Sequence, residues 1–573
     1  MTMDARSIPF PLAYRTLPEA LHSAPGSATF ITMCQGDDDR RTVTFGEFHS
    51  MVAADATWLR LIGIEPGHVV ILIVPQGIRL MGLFAALMEL GAIPAILAYP
   101  NFKVDPAKYR FGLSGVSANL GARAILVDEA FPEEVVDLLL TADHSRIHRV
   151  AGGPVAGHSP PAPAYQGSGD AIAFIQHSSG TTGLQKGVAL SHSAIIQQIN
   201  ALGPALGLSR QDAIYSWLPL YHDMGLIAGF LLPMMCHLPI VLQSPIEWVM
   251  QPGTMLNLMT EYQCTLAWLP NFAFQFLARR VPHEERSGLE LGKIRALINC
   301  SEPVRARSMD EFHSAYEVYG LRSNALQTSY AMAETVFAVT QSPLDGSPVA
   351  RIFVDGEALR REHTVKLLNP ESGGAVELVS CGHLLPGFAV QIVSDDGLPL
   401  ADGLIGEIII RSKSMLTGYY KRTDLTSAAV REGWYWSGDL GFQWAGELFV
   451  VGRRKDLIIV GGQNIYPQDV EEIVASHPTI RDGRAVAFGL FNEALGTEEI
   501  VVVAEVESEK DLDLAQRIEI ELRNAVGAQI GVVPRAVFLK PPKWIIKSTA
   551  GKPARSTTRE KLLAEHSELR QKT

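Results

Sequence analysis

Short apolar runs, VVILIVP, AIPAILAY, AILVD and PIVLQ, alternate along this chain with stretches of helical spacing. A strand with no polar face must be covered on both sides, which parallel sheets layered between helices provide. The expected fold class is therefore α/β. Two longer apolar segments start at Leu80 and Gly225, but Glu89 interrupts the first and Pro233 and His237 the second. Both are read as buried helix-plus-strand pairs rather than membrane spans, so no stable membrane insertion is expected. No internal repeat is evident.

Composition narrows the functional classes. With 573 residues, 47% hydrophobic and 19% charged, the chain can bury several cores, and about 150 residues per domain predicts three or four folding units. A net charge of −12 without acidic runs or basic clusters argues against a nucleic-acid footprint. Five cysteines, Cys34, Cys236, Cys264, Cys300 and Cys381, form no CxxC pair and are read as reduced core residues. The opening MTMDARSIPF has no basic region leading into an apolar one, so the cytoplasm is the expected compartment.

The most polar, flexible stretch is HSSGTTGLQKG, residues 177–187. It follows DAIAFIQ, read as a strand, and precedes SHSAIIQQINAL, read as a helix. Strand, glycine loop and helix are the ingredients of a phosphate cradle, because glycine lets backbone N–H groups approach an anion. It is not the common P-loop, since Lys186 is followed by Gly187 rather than Ser or Thr. Residues 151–170, rich in Pro, Gly and Ala, read as a loose connection into this loop. Further on, QIVSDDGLPLADGLIGEIIIRSKSM reads as a compact antiparallel unit, and a small α+β unit follows a boundary near Lys455.

Other polar islands follow in order: PLYHDMGLIAG with His222 and Asp223, NCSEPVR with Glu302, TSYAMAET with Glu334, GWYWSGDLG with Asp439, VGRRKD with Arg453, and KSTAGKPAR with Lys552. Singly, each reads equally well as a capping, solvated or structural group. As a series they closely resemble the acyl-adenylate-forming superfamily, over a span from TVTFGEF to AGKPAR. Within it, YHDMGLI, PNFAF, SEPVR and YPQD are similar to the fatty acyl-AMP ligases, as is the extra segment RIFVDGEALRREHTVKLLNPESGGAVE. The resemblance implies a large N-terminal domain, residues 1–454, of two αβ-layered subdomains plus a small β-barrel-like subdomain. It also implies a mobile, smaller α+β C-terminal domain, residues 455–573, hinged at Lys455. The insertion, about 351–378, restrains that small domain in the family and is associated with loss of CoA use.

The implied chemistry joins a carboxylate to the α-phosphate of ATP, releasing pyrophosphate. Two anions meet, so the site must supply positive charge and oriented donors rather than a strong base. Ser178, Ser179, Gly180, Thr181, Thr182 and Gly183 would enclose the β- and γ-phosphates, with Lys186 as a mobile cation. Mg²⁺ would be held by Glu334 and the hydroxyl of Thr182. By resemblance Asp439 would accept from the ribose hydroxyls with help from Arg453, Tyr330 would lie against adenine, and the backbone near Cys300, Ser301 and Glu302 would meet its edge. Lys552 would bridge nucleotide and carboxylate, His222 would assist at the site, and a hinge rotation would then admit the phosphopantetheine thiol of an acyl carrier protein or polyketide synthase module.

The acid, a fatty or other carboxylic acid, is expected against Trp217, Asp223, Met224, Trp268 and Asn271, because apolar walls gain roughly 0.8 kcal/mol per buried methylene. Trp268 and Leu269 stand where the family tends to have glycines; the bulk either floors the tunnel for a shorter or cyclic acid or packs into the core. Ala331 and Ala550 also depart from the family pattern without removing a charge. Two other readings stay open: a medium- or long-chain acyl-CoA or aryl-CoA synthetase of the same fold, and a non-catalytic scaffold.

Overall fold

The structure, a computed structural model, describes residues 7–36, 39–100, 106–137, 146–153, 165–177, 186–493, 495–547, 553–566 and 569. Two seven-stranded sheets dominate. The first runs, in spatial order, Gly418–Tyr419, Gly187–Ser191, Ile172–His177, Ile93–Ile96, Val69–Ile73, Ala124–Asp128 and Ile147–Val150. From Ile172–His177 onward its strands are parallel, while Gly187–Ser191 is antiparallel to both its neighbours. The second runs Leu326–Thr328, Ala296–Asn299, Leu266–Leu269, Ile214–Ser216, Ile240–Gln243, Thr29–Gln35 and Asp39–Thr44, parallel except for its last hairpin.

Local sequence accounts for the elements. Val69–Ile73 is buried at every position, as an all-apolar strand between helix layers must be. The helix Phe45–Leu61 starts at a capping box: Thr44 accepts from the backbone of Glu47, whose carboxylate accepts from the Thr44 backbone at 2.7 Å. Both long apolar segments fold as expected, Ile78–Glu89 leading to Ile93–Ile96, and 224–236 leading to Ile240–Gln243. Among the described residues no helix is long and apolar enough to cross a membrane. All five cysteines are buried and free of disulfides.

Two features differ from the sequence reading. Met224–Leu231 is a π-helix, buried at every residue, in which a Cβ on Gly225 would lie 2.3 Å from the Pro219 carbonyl oxygen and one on Gly229 2.7 Å from Ser216 Oγ. The wider turn lets two glycines press against the chain that precedes them. The glycine loop, whose residues 178–185 lie outside the described residues, does not open directly onto a helix. It joins Ile172–His177 to the antiparallel strand Gly187–Ser191, with His177 opposite Gly187, and the helix His192–Ala205 begins only after that strand, capped by Ser191. Five residues of strand, roughly 16 Å, remove the helix dipole from the loop. The short run VALS escapes a periodicity reading and becomes a strand because both neighbours pair with it.

A third, antiparallel sheet runs Thr340–Gln341, His383–Leu384, Glu447–Arg453, Trp434–Trp444, Gly406–Ser412 and Phe388–Val393. The insertion folds as the hairpin Arg351–Asp355 and Ala375–Val379 with the short helix Ala358–Glu362 between. Beyond Asp456 a separate apolar cluster, including Ile458, Val470, Ile500, Leu522 and Val537, packs the hairpin Ile458–Val460 and Gln463–Ile465 and the helices Pro467–Ala475 and Ala515–Ile530 on a three-stranded sheet.

Candidate active site

The carboxyl ends of the two parallel sheets point at one crevice, the usual position of a ligand on open α/β sheets. From the first sheet comes His177, the last residue before the glycine loop. From the second come Trp217 to Asp223, Pro270 and Asn271, Cys300 to Glu302, and Tyr330, each just past a strand, with Trp268 near the end of its strand. Gln176 ties the sheets together, its Nε2 donating to the Tyr221 carbonyl at 2.6 Å. Gln76 Oε1 accepts from Leu220 N at 3.2 Å, so the YHDM turn is held from two sides.

The antiparallel sheet supplies the acid of the site. Asp439 lies opposite Arg453 on adjacent strands, accepting from Arg453 Nε at 3.1 Å and from the Tyr330 hydroxyl at 2.7 Å. Asp439 and Tyr330 are both buried. Burial, then the Asp439 charge, push the Tyr330 hydroxyl well above its ordinary range, so it stays a donor; the same carboxylate raises Arg453. A second cluster surrounds Glu334. Tyr419 donates to Glu334 Oε1 at 2.9 Å, and Lys186 Nζ stands 4.8 Å from the Tyr419 ring centroid. One tyrosine thus orients a carboxylate with its hydroxyl and a lysine with its face. Burial, then Glu334, hold the Tyr419 hydroxyl protonated.

Ser301 has a left-handed backbone, φ 68°, and its hydroxyl reaches Met224 Sδ at 3.8 Å, joining the end of one strand to the π-helix. Glu302 accepts from Phe272 N at 3.0 Å. Asp223 caps the π-helix through Met224 N at 2.8 Å, and the His222 ring centroid lies 4.9 Å from that of Tyr221.

The expected acid-binding residues do not share one wall. Trp268 pairs in register beyond Ala267 and Tyr215, on the same face as Ser216, and its ring lies 6.5 Å from Phe337. Trp217, one residue past Ser216, turns to the opposite face and stacks on Trp248 at 3.8 Å with an interplanar angle of 1°. Asn271 spends its amide on protein groups: Ser308 Oγ at 3.0 Å, Asn299 Nδ2 at 2.9 Å and Arg305 N at 3.0 Å.

The AMP-binding enzyme family matches residues 19–420 of this sequence. The chain belongs to the AMP-binding enzymes. It is 34% identical over 407 residues to the medium-chain-fatty-acid–[acyl-carrier-protein] ligase JamA of Moorena producens, covering 69% of this chain and 68% of JamA. It is 27% identical over 589 residues to the long-chain-fatty-acid–AMP ligase FadD26 of Mycobacterium marinum, covering 98% of both. A solved structure from a study of fatty acyl-adenylate ligases of E. coli and L. pneumophila superposes with a TM-score of 0.87 at 26% identity, over 98% of this chain and 100% of that one. Within the AMP-binding enzymes the chain is an ATP-dependent acid–AMP ligase of fatty acyl-AMP ligase type.

In this AMP-binding enzyme the unit after Asp456 meets the preceding chain through ion pairs. Arg305 meets Glu472 at 2.8 Å and Asp469 at 3.5 Å, Arg280 meets Glu507 at 3.6 Å, and Arg279 pairs with Asp482. Burial raises the Asp469 carboxyl against the opposing pull of Arg305. Next to exposed Lys455, Arg454 reaches Glu407 at 3.2 Å, and Glu407 in turn accepts from Gly438 N, beside Asp439, at 3.0 Å. Lys552 and its neighbours 548–551 lie outside the described residues; Lys547 and Pro553, on either side of them, form an isolated antiparallel bridge. Lys547 is exposed; desolvation, then Arg484, lower its ammonium to about 8, against the attraction of Glu302. Sequence reasoning missed Tyr419, Gln176 and Arg305: Tyr419 gains meaning only when Gly418–Tyr419 joins the first sheet.

Proposed function

We propose that this enzyme activates a fatty acid as its acyl-adenylate and passes the acyl group to a phosphopantetheine thiol on a carrier protein or polyketide synthase module. The observation that carries this reading is the pairing, in one crevice, of the Asp439–Tyr330–Arg453 cluster with the Lys186–Tyr419–Glu334 cluster. In this reading Asp439 receives the ribose hydroxyls and Tyr330 stands at the adenine. Cys300, Ser301 and Glu302 edge the base, and the loop 178–183 with Lys186 holds the leaving phosphates. Residues 1–454 form the body, residues 455–573 the lid, and Lys455 the hinge. Lys552 brings its ammonium to the acid and α-phosphate, stabilising charge as it develops. His222 sits at the junction of acid and nucleotide.

Glu334 suits Mg²⁺: one hard carboxylate near a phosphate loop is what this ion takes alongside phosphate oxygens and water. Glu334 and Thr182 would hold it, and when bound it neutralises charge on the departing pyrophosphate. Tyr419 orients the Glu334 carboxylate through its hydroxyl.

For the acceptor, the insertion argues for a carrier rather than CoA. Its Val354, Leu359 and Val365 pack in one apolar cluster with Tyr466 and Leu457, just beyond the hinge, and His363 Nε2 lies 2.7 Å from Asn464 Nδ2. In the family resembled, an insertion that restrains the small domain goes with loss of CoA use, and this one packs against that domain. JamA, by its name, loads medium-chain acids on an acyl carrier protein. The deciding experiment incubates the purified enzyme with ATP and a panel of fatty and aryl acids, detects acyl-AMP by mass spectrometry, and then offers CoA or a phosphopantetheinylated carrier. Carrier acylation well ahead of acyl-CoA is expected. Equal rates would overturn the carrier assignment, and absent acyl-AMP the whole reading. Lys552→Ala is expected to abolish adenylation while ATP still binds, measured by pyrophosphate release and nucleotide titration.

A further inference from the structure

On the first sheet, away from the crevice, lies a cleft of ≈ 400 Å³ whose lining includes His68, Arg123, Arg146 and Lys421. Residues 67–69, 120–123 and 146 sit at the amino ends of the strands Val69–Ile73, Ala124–Asp128 and Ile147–Val150, whereas the adenylation crevice lies at carboxyl ends. Three permanent cations and a histidine in one cleft are a concentration of positive charge in a chain whose net charge is −12. Among the described residues neither Arg123 nor Lys421 has an ion-pair partner; Lys421 Nζ donates to the Leu120 carbonyl at 2.9 Å. Burial, then Arg123, lower the nearby His148.

The backbone is arranged to hold this charge. Lys421 has a left-handed φ of 54°, uncommon for a side-chain-bearing residue. A Cβ on Gly121 would lie 2.5 Å from Lys421 Nζ, so glycine there makes room for the ammonium. His68 Nδ1 accepts from Glu65 N at 3.1 Å, which leaves Nε2 as a donor. Clustered like charges repel, and a cleft focuses their field; an anion with several acceptor oxygens removes the repulsion and satisfies the donors together.

We propose that this cleft is a second ligand site, separate from the adenylation crevice, which binds a phosphate monoester or inorganic phosphate through Arg123, Lys421 and His68. The phosphate can come from a soluble metabolite or from a lipid headgroup. The chain connects the two sites: Tyr420, on the cleft wall, follows directly on Tyr419, which orients Glu334.

The test titrates the full-length protein with inorganic phosphate, with glycerol 3-phosphate, and with phosphatidylcholine vesicles containing phosphatidic acid, at low salt. Arg123→Ala/Lys421→Ala is expected to weaken binding about tenfold or more, the loss of two charge-assisted contacts. Lys186→Ala reports any phosphate held by the glycine loop, the surface variant Arg517→Ala is expected to leave binding unchanged, and Arg123→Lys/Lys421→Arg to retain most of it. Thermal unfolding of each variant reports that it is folded. Vesicle binding without soluble-ester binding, lost in the double alanine variant, supports the site with a lipid as its source. Equal affinity in wild type and the double alanine variant, no measurable binding by wild type, or loss only in Lys186→Ala overturns the proposal. No arm requires acyl-AMP formation, so this outcome is independent of the acid and acceptor assigned above.

Discussion

Asp439 accepts two hydrogen bonds and still has to serve a ligand, which makes it the residue most exposed to a conservative change. Asp439→Asn keeps the shape but removes the charge that Arg453 and the Tyr330 hydroxyl answer. A hydrogen bond to a charged group contributes about 1.5–3 kcal/mol, so kcat/KM for acyl-AMP formation should fall roughly 10- to 100-fold, with the larger share in the KM for ATP. Pyrophosphate release at varied ATP checks this, and an unchanged KM would remove Asp439 from the nucleotide site. Two histidines set a pH limit. Burial lowers both His177 and His192 to about 4, against an ordinary value of 6.5. Between those values the unfolded chain binds protons that the folded one does not, so stability is full above about pH 6.5 and falls as pH drops toward 4. From pH 7 to pH 5 each should cost on the order of 2 kcal/mol. Chemical unfolding at the two pH values measures the sum, and His192→Asn should flatten the slope if that assignment is correct.

At the scale of elements, the π-helix is the part most sensitive to one added carbon. A methyl group on Gly225 would meet the Pro219 carbonyl at 2.3 Å, backbone against backbone, with no flexible side chain to give way. Gly225→Ala should therefore cost about 1–3 kcal/mol, as overpacking does, and displace the His222–Asp223 turn that caps this helix. A lower unfolding temperature together with reduced acyl-AMP yield is expected; a variant indistinguishable from wild type would show that the turn absorbs the contact. The apolar run MGLIAGFL could not disclose its own pitch, since a segment buried on every side has no polar face to mark a period. The capping box at Thr44 and Glu47 lies wholly within one local pattern, whereas the strand Gly187–Ser191 pairs with the strand before it and with the distant Gly418–Tyr419.

Across the whole molecule the decisive contacts join the body to the unit beyond Asp456. Arg305, a few residues after the Cys300–Glu302 edge of the crevice, holds Glu472 and Asp469, while the insertion grips Asn464 and Tyr466 from the other side. Removing 356–374 is expected to increase hydrogen exchange in the segment 457–466 and raise acyl-CoA formation relative to carrier loading. No change in either would mean that the insertion does not restrain the lid. The sequence by itself determined the α/β alternation, the buried apolar segments, the reduced cysteines and the polar islands with their family resemblance, because each is a local pattern of side-chain type and spacing. Only the tertiary structure decided that Tyr419 orients Glu334, that Trp217 and Trp268 face opposite sides of one sheet, and that four basic groups share a cleft. Those relations depend on which strands pair and in what register, and pairing energy is spread over residues hundreds of positions apart.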